Sequence, residues 1–307
     1  MSQMQLESTP AADPAVTEPD AATAMARSSI LRKLTRDKGA MLSAIVLAVI
    51  VFCAIFAPVL APHDPYDNNL RNMLKPPAWS EGALPEHLLG TDGQGRDIVT
   101  RLLYGTRTTL IMGVLAVICG GVIGAGLGLL AAYFRRLEGP IMRLVDILLS
   151  FPSILFGLAI AAVLGAGIFA ITIALTVAAI PTIARITRGA ALVQMQMEYI
   201  TACRAIGMSD LRIIWRHLLP NCLSTIFVYL TLQLGQTILL GAALSFIGLG
   251  AQPPTAELGT MAAEGRNFLF FAPHVATIPS FVIFLIVLAF NVLGDALRDV
   301  LDPRLRQ

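Results

Sequence analysis

The chain reads as an all-α polytopic membrane protein with six transmembrane helices. Three observations predict this. Several apolar runs exceed the roughly 20 residues that a helix needs to cross a bilayer. Only 14% of the 307 residues are charged and 56% are hydrophobic, whereas a soluble domain carries about 25% charge. The lysines and arginines are also shared unevenly between alternate loops.

In chain order, residues 1–26 are rich in Ala, Pro, Thr and acidic groups, with no basic start and no apolar core. They read as a disordered tail rather than a cleaved signal, so the first apolar run stays as an anchor. Arg27, Arg32, Lys33, Arg36 and Lys38 precede the first span, about 40–61. A polar stretch rich in Pro and Gly runs from Pro62 to about Thr108. Further spans are expected at about 109–133, 144–165, 168–184, 223–247 and 275–297, the third and fourth separated by a tight turn at Gly165–Gly167. Pro152 and Pro181 interrupt those two spans, either as ordinary kinks or as breaks beside a cavity.

Six spans put both termini on one side. That side holds sixteen Lys and Arg and the other holds six. The positive-inside rule places the sixteen in the cytoplasm. The loop after the fourth span is then cytoplasmic as well.

That loop, EYITACRAIGMSDLRIIWRHLLPN from Glu198 to Asn221, predicts two short helices. Gly207 is suited to end the first in the left-handed C-cap conformation. Ser209 is placed to cap the second. Leu211, Ile214, Trp215 and Leu218 recur at helical spacing as one apolar face, with Asp210, Arg212 and Arg216 elsewhere. Pro220 is expected to stop that helix. Such a pair is shaped either to dock on a partner or to rest its apolar face on the bilayer.

Gly120, Gly124 and Gly128 form overlapping GxxxG spacings in the second span, and tight helix packing is the favoured reading. Tyr229, Gln233, Gln236 and Thr237 fall on one helical face of the fifth span. Polar groups in hydrocarbon need partners, so this face points inward. It lines an aqueous path or hydrogen-bonds neighbouring helices.

Chemistry of other kinds is missing from the spans. Their only acids, Asp146 and Asp295, sit near span ends, and His63, His87, His217 and His274 lie in loops or at edges. An ion-coupled carrier usually needs a buried ionisable group. No nucleophile–base pair marks a hydrolase, and no GxxxxGK[ST] loop binds a nucleotide. Cys53, Cys119, Cys203 and Cys222 form no CxxC or zinc-ligand spacing and read as packing residues. No intramembrane His or Cys set suggests a metal. An importer subunit driven by another chain's ATP and an ion-coupled carrier or channel acting alone remain; the missing buried charge and the cytoplasmic helix pair favour the first.

The Glu198 loop resembles the cytoplasmic EAA loop of ATP-binding-cassette (ABC) import permeases. Thr201-Ala202-Cys203, Gly207, His217, Leu219 and Pro220 occupy its spacing, with departures at Thr201, Cys203 and His217. Tyr199 to Gly207 fits the peptide-permease version, Y-[IV]-x-A-[AS]-R-A-x-G, except at Cys203. His87 to Leu110 is similar to a segment of the second ("C") permease subunit of peptide importers, with Thr100 and Thr109 in place of serines. Leu244 to Met261 resembles another, although Ala256, Glu257 and Leu258 replace Pro-Glu-Trp. The ending LAFNVLGDALRDVLDPRLRQ resembles a third.

The resemblance implies an ABC type I importer permease fold in a bacterial inner membrane. Its regions would be a basic tail to residue 38, a first helix and extracytoplasmic segment over 39–105, a permease core over 106–298 and a tail over 299–307. The cargo would be dipeptides, oligopeptides or glutathione; nickel importers share the motifs. Partners would be a homologous "B" permease, ATP-binding subunits, an extracytoplasmic binding protein and membrane lipid, with no nucleic acid. The chain itself would hold no cofactor and no catalytic residue, because ATP and Mg act on partner subunits. Tyr199, Thr201, Ala202, Cys203, Arg204, Ala205, Gly207, Ser209 and Asp210 would couple it to the ATPase. Tyr229, Gln233, Gln236 and Thr237 are the candidate substrate path.

Overall fold

The computed structural model describes residues 37–301. The expected N-terminal tail, its basic cluster up to Arg36 and the last six residues lie outside the described residues. Within them, five helices are long and apolar enough to cross a membrane, and a sharply bent pair makes a sixth candidate if its two helices count as one span.

Helix α1 (Lys38–Ile55) starts at Asp37, whose carboxylate accepts the N–H groups of Gly39 and Ala40. This satisfies donors that a helix start leaves free. A short helix α2 (Ala57–Leu60) follows, with Pro58 in its first turn. α1 sits at the edge of the bundle, and Leu42, Ile45, Val49 and Phe52 project outward, as suits side chains in lipid.

Helix α3 (Ile98–Tyr133) begins well before the expected 109. Asp97 explains the early start: its Oδ2 accepts the N–H of Thr100 at 2.7 Å. α3 packs along α6 (Ile168–Met195). A Cβ added at Gly120 would meet Ala179 Cβ at 3.0 Å, one at Gly124 the Ile180 carbonyl at 2.7 Å, and one at Gly128 the Ala184 carbonyl at 2.5 Å. The GxxxG stripe therefore serves close backbone approach, as expected.

The span expected over 144–165, with an interruption at Pro152, is a broken pair of helices that begins earlier, at Arg135. It consists of α4 (Arg135–Ser150) and α5 (Ser153–Leu164), bent by 91°. Pro152 disfavours the helical conformation at the residue before it, and Phe151 is extended at φ −94°, ψ 135°. α5 alone is roughly 18 Å long, short of the hydrocarbon core of about 30 Å. α4 is strongly amphipathic and pairs with α6 through Asp146–Arg185 at 2.5 Å and Glu138–Arg188. The turn at Gly165–Gly167 is present, with Gly165 at φ 81°. Pro181, by contrast, is buried within a continuous α6.

After α7 (Glu198–Ala205), a short helix α8 (Asp210–Ile213) runs through a five-residue π turn, Ile214–Leu218, into α9 (Leu219–Phe246). Pro220 does not stop the helix, contrary to expectation. Leu219 N–H reaches back to the Ile214 carbonyl. This wide turn shifts the hydrogen-bond ladder, so the proline's missing N–H falls in the first turn of the next segment. Helices α10 (Leu258–Gly265) and α11 (His274–Leu301) complete the bundle, with α10 held between α9 and α11.

Candidate functional site

Helix α7 lies at the pole of the bundle where α3 ends. Ile200 and Cys203 are buried against Ile213, with Tyr133, Met195, Tyr199 and Met208 around them. The helix ends at Gly207, φ 76°. Gly207 N–H donates to the Arg204 carbonyl at 3.0 Å and Met208 N–H to the Cys203 carbonyl at 3.1 Å. These paired bonds are a Schellman cap, and the left-handed backbone they need favours glycine.

The nine residues expected to couple therefore divide by environment. Thr201, Ala202, Ala205 and Gly207 are exposed, beside Ile206, Leu211 and Trp215. Together they form a shallow surface of small and apolar groups. Cys203 faces the core instead. Tyr199 is half-buried and donates its hydroxyl to Gln194 Oε1 at 2.9 Å; burial pushes its phenol above the usual range. Arg204 lies over the Tyr133 ring at 5.3 Å, and Asp210 accepts the Tyr133 hydroxyl at 2.7 Å. Arg204 thus braces α7, and Asp210 the start of α8, against the end of α3, around a cleft of about 490 Å³ that Arg135 and Arg136 also line.

Two expected details differ. Ser209 has the extended N-cap backbone, but its hydroxyl makes no capping bond. The apolar face of the second helix is split: Ile214 and Leu218 are buried with Ile213, while Leu211 and Trp215 point outward.

On α9, Gln233 and Thr237 are buried and Tyr229 is half-buried, but Gln236 is exposed. The expected inward face is thus shared between the interior and an open side of the chain. Gln233 Oε1 is buried without a hydrogen-bond partner, a costly condition for an amide oxygen.

At the opposite pole the structure brings together residues that the motifs contained but the sequence reading gave no role. Asp92 receives Arg96 Nε at 2.6 Å and lies 3.3 Å from Arg101 Nε; Arg96 Nη2 also donates to Glu264 on α10 at 2.9 Å. Both arginines are almost fully buried. Asp92 also accepts the N–H groups of Gln94 and Arg96. Glu257, fully buried, caps α10 through Gly259 and Thr260 and accepts the Thr109 hydroxyl. Buried charges persist where partners satisfy them. This network fastens the 62–97 segment to α3 and α10. Its signal in the sequence was the density of Asp, Arg and Gly just before an apolar run.

Residues 124–307 match the family described as the binding-protein-dependent transport system inner membrane component. Residues 27–77 match the N-terminal TM domain of oligopeptide transport permease C. The chain is 41% identical over 302 residues to the di/tripeptide transport system permease protein DppC of Pseudomonas aeruginosa, covering 98% of each. It is 45% identical over 281 residues to the glutathione transport system permease protein GsiD of Escherichia coli O6:K15:H31, covering 90% of this chain and 89% of the relative. In fold it is similar to an inward-facing MetNI methionine ABC transporter structure, with TM-score 0.56 and 24% identity over 66% of this chain and 97% of that one. With a bent-helix bundle, an exposed and rigidly capped α7, and a match of this extent, the chain belongs to the binding-protein-dependent transport system inner membrane component family.

Proposed function

We propose that the chain is the "C"-type permease subunit of an ATP-driven importer that moves di- or oligopeptides across a bacterial inner membrane. The observation that carries this reading is identity above 40%, over nearly the whole length, to relatives named for di/tripeptide and dipeptide transport. Glutathione is the second reading, because relatives named for its transport are 42% and 45% identical; a chelated metal such as nickel stands behind it. In this reading a homologous permease covers the open side of α9. ATP-binding cassette subunits take the α7 surface, and an extracytoplasmic binding protein delivers cargo to the opposite pole. Both termini and α7 are cytoplasmic, which the basic asymmetry supports. ATP and Mg act on the partner subunits.

Thr201, Ala202, Ala205 and Gly207 form the contact surface for the ATPase, with Tyr199, Arg204 and Asp210 bracing it. Tyr229, Gln233, Gln236 and Thr237 line the path. The test is uptake by the complex reconstituted in vesicles. Peptide uptake should require ATP and binding protein, and glutathione should compete only if the second reading holds. Gln233→Leu with Gln236→Leu should lower uptake several-fold while assembly and ATP hydrolysis persist. Unchanged uptake assigns that face to packing, and uptake without ATP sinks the importer reading.

A further inference from the structure

Three side chains that the transport reading does not use converge just before α3. His63 follows α2, His87 lies in the loop, and Asp97 is the N-cap of α3. One ligand atom from each lies within 4.8 Å of the others. His87 Nδ1 is 3.0 Å from Asp97 Oδ1, and His63 Nδ1 is 3.8 Å from Asp97 Oδ2. The two rings are tilted together with centroids 4.7 Å apart.

Hydrogen bonding explains only part of this arrangement. Asp97 Oδ2 caps α3 by accepting Thr100 N–H, and Asp97 Oδ1 is matched by His87. Each carboxylate oxygen retains a further lone pair. His63 Nδ1 is buried and has no hydrogen-bond partner, yet it is aimed at the same carboxylate. Its backbone is held in place, since His63 N–H donates to Thr100 Oγ1 at 3.2 Å. A helix cap does not need a second imidazole there.

We propose that His63, His87 and Asp97 bind a divalent transition-metal ion, with zinc the ion that suits the set best. Two imidazoles and one carboxylate are a three-ligand set that leaves an open position for water. Ligands about 2.0–2.1 Å from a tetrahedral zinc stand roughly 3.4 Å apart, and the observed 3.0 and 3.8 Å bracket that spacing. The histidine side chains are 32% and 9% exposed and the carboxylate 1%, so the site is enclosed on the Asp97 side and open to solvent past His63. Binding would use both histidines neutral, His87 giving up its Nδ1 proton in favour of Nε2. The bound ion would cross-link the end of α2, the loop and the start of α3. This is a resident ion at one pole, separate from any chelated cargo.

The experiment uses the full-length chain in detergent, free of any polyhistidine tag, stripped with chelator and then titrated with Zn(II) and with Co(II). The wild type should hold one zinc per chain after dialysis and show cobalt d–d absorption of a low-coordinate site. His63→Ala should weaken zinc binding roughly tenfold or more and lose the cobalt band. Its metal-free thermal midpoint should fall only slightly, because the part-exposed side chain it removes makes no hydrogen bond and contributes only its contact with the His87 ring. Zinc should raise the midpoint of the wild type only. A wild type that retains no zinc, or a His63→Ala chain that binds it equally well, overturns the assignment.

Discussion

Gly124 and Gly128 sit where a single methyl group decides whether two helices can meet. At each, an added Cβ lies within 2.7 Å of a carbonyl oxygen on α6. Backbone cannot move aside as a flexible side chain can, so the helices must separate. Overpacking of this kind costs about 1–3 kcal/mol. Gly124→Val and Gly128→Val should each reduce the yield of monodisperse protein and lower its thermal midpoint in detergent. Gly126→Ala is the internal comparison: nothing lies within 4 Å of its added Cβ, so the midpoint should hold or rise. Equal loss in all three would show that the stripe does not set helix approach. The sequence showed the period of these glycines, and the structure identified the carbonyls they spare.

At the scale of the element, α7 is a short rigid body. It is buried through Ile200 and Cys203, capped at Gly207, and braced through Arg204 on Tyr133, which Asp210 of α8 also holds. Its exposed face carries the small side chains of Thr201, Ala202 and Ala205 beside the charge of Arg204, so a partner would read its shape before its charge. Exposed ion pairs contribute only about 0–1 kcal/mol. Ala202→Glu should therefore impair cargo-stimulated ATPase activity and uptake more than Arg204→Ala does, with co-purification of the subunits intact. Gly207→Val forces a branched side chain into left-handed backbone at a cost of roughly 1–2 kcal/mol and should uncouple as well. Normal stimulation in both Ala202→Glu and Gly207→Val would refute the coupling role. The period-based reading put Leu211 and Trp215 on one face with Ile214 and Leu218. Tertiary packing separates them: Ile214 and Leu218 turn to the core with Ile213, and Leu211 and Trp215 fall outside it.

For the whole molecule, the basic asymmetry and the crossings argue together. α3 runs from the pole with the 62–97 segment to the pole with α7, and α6 runs parallel to that axis from Gly167 to Met195. Reporter fusions after Arg136 and after Asn221 should both register the cytoplasm, and fusions near Pro77 and Pro254 the outside. A cytoplasmic signal at Pro77 would reverse the orientation. The bent α4–α5 pair matters here, because these fusion sites agree with one another only if the pair crosses as a single span.

The sequence by itself determined the membrane class, the positions of the long apolar helices, the C-cap at Gly207 and the GxxxG seam. Each of these rests on local chemistry: apolar length, a missing Cβ, or a helical period. It could not determine that Pro152 breaks a helix while Pro181 and Pro220 sit within continuous ones. The same residue type gives different outcomes: before Pro152 the backbone at Phe151 is extended, whereas the π turn places Pro220 in the first turn of its helix, where its missing N–H costs nothing. Nor did spacing reveal that Arg96 would meet Glu264, 168 residues away, or that His63 and His87 would converge on Asp97. Those meetings depend on how the 62–97 segment folds back over the ends of α3 and α10. Only tertiary structure decides that, since the ion pairs that hold it exist only once the segments are packed.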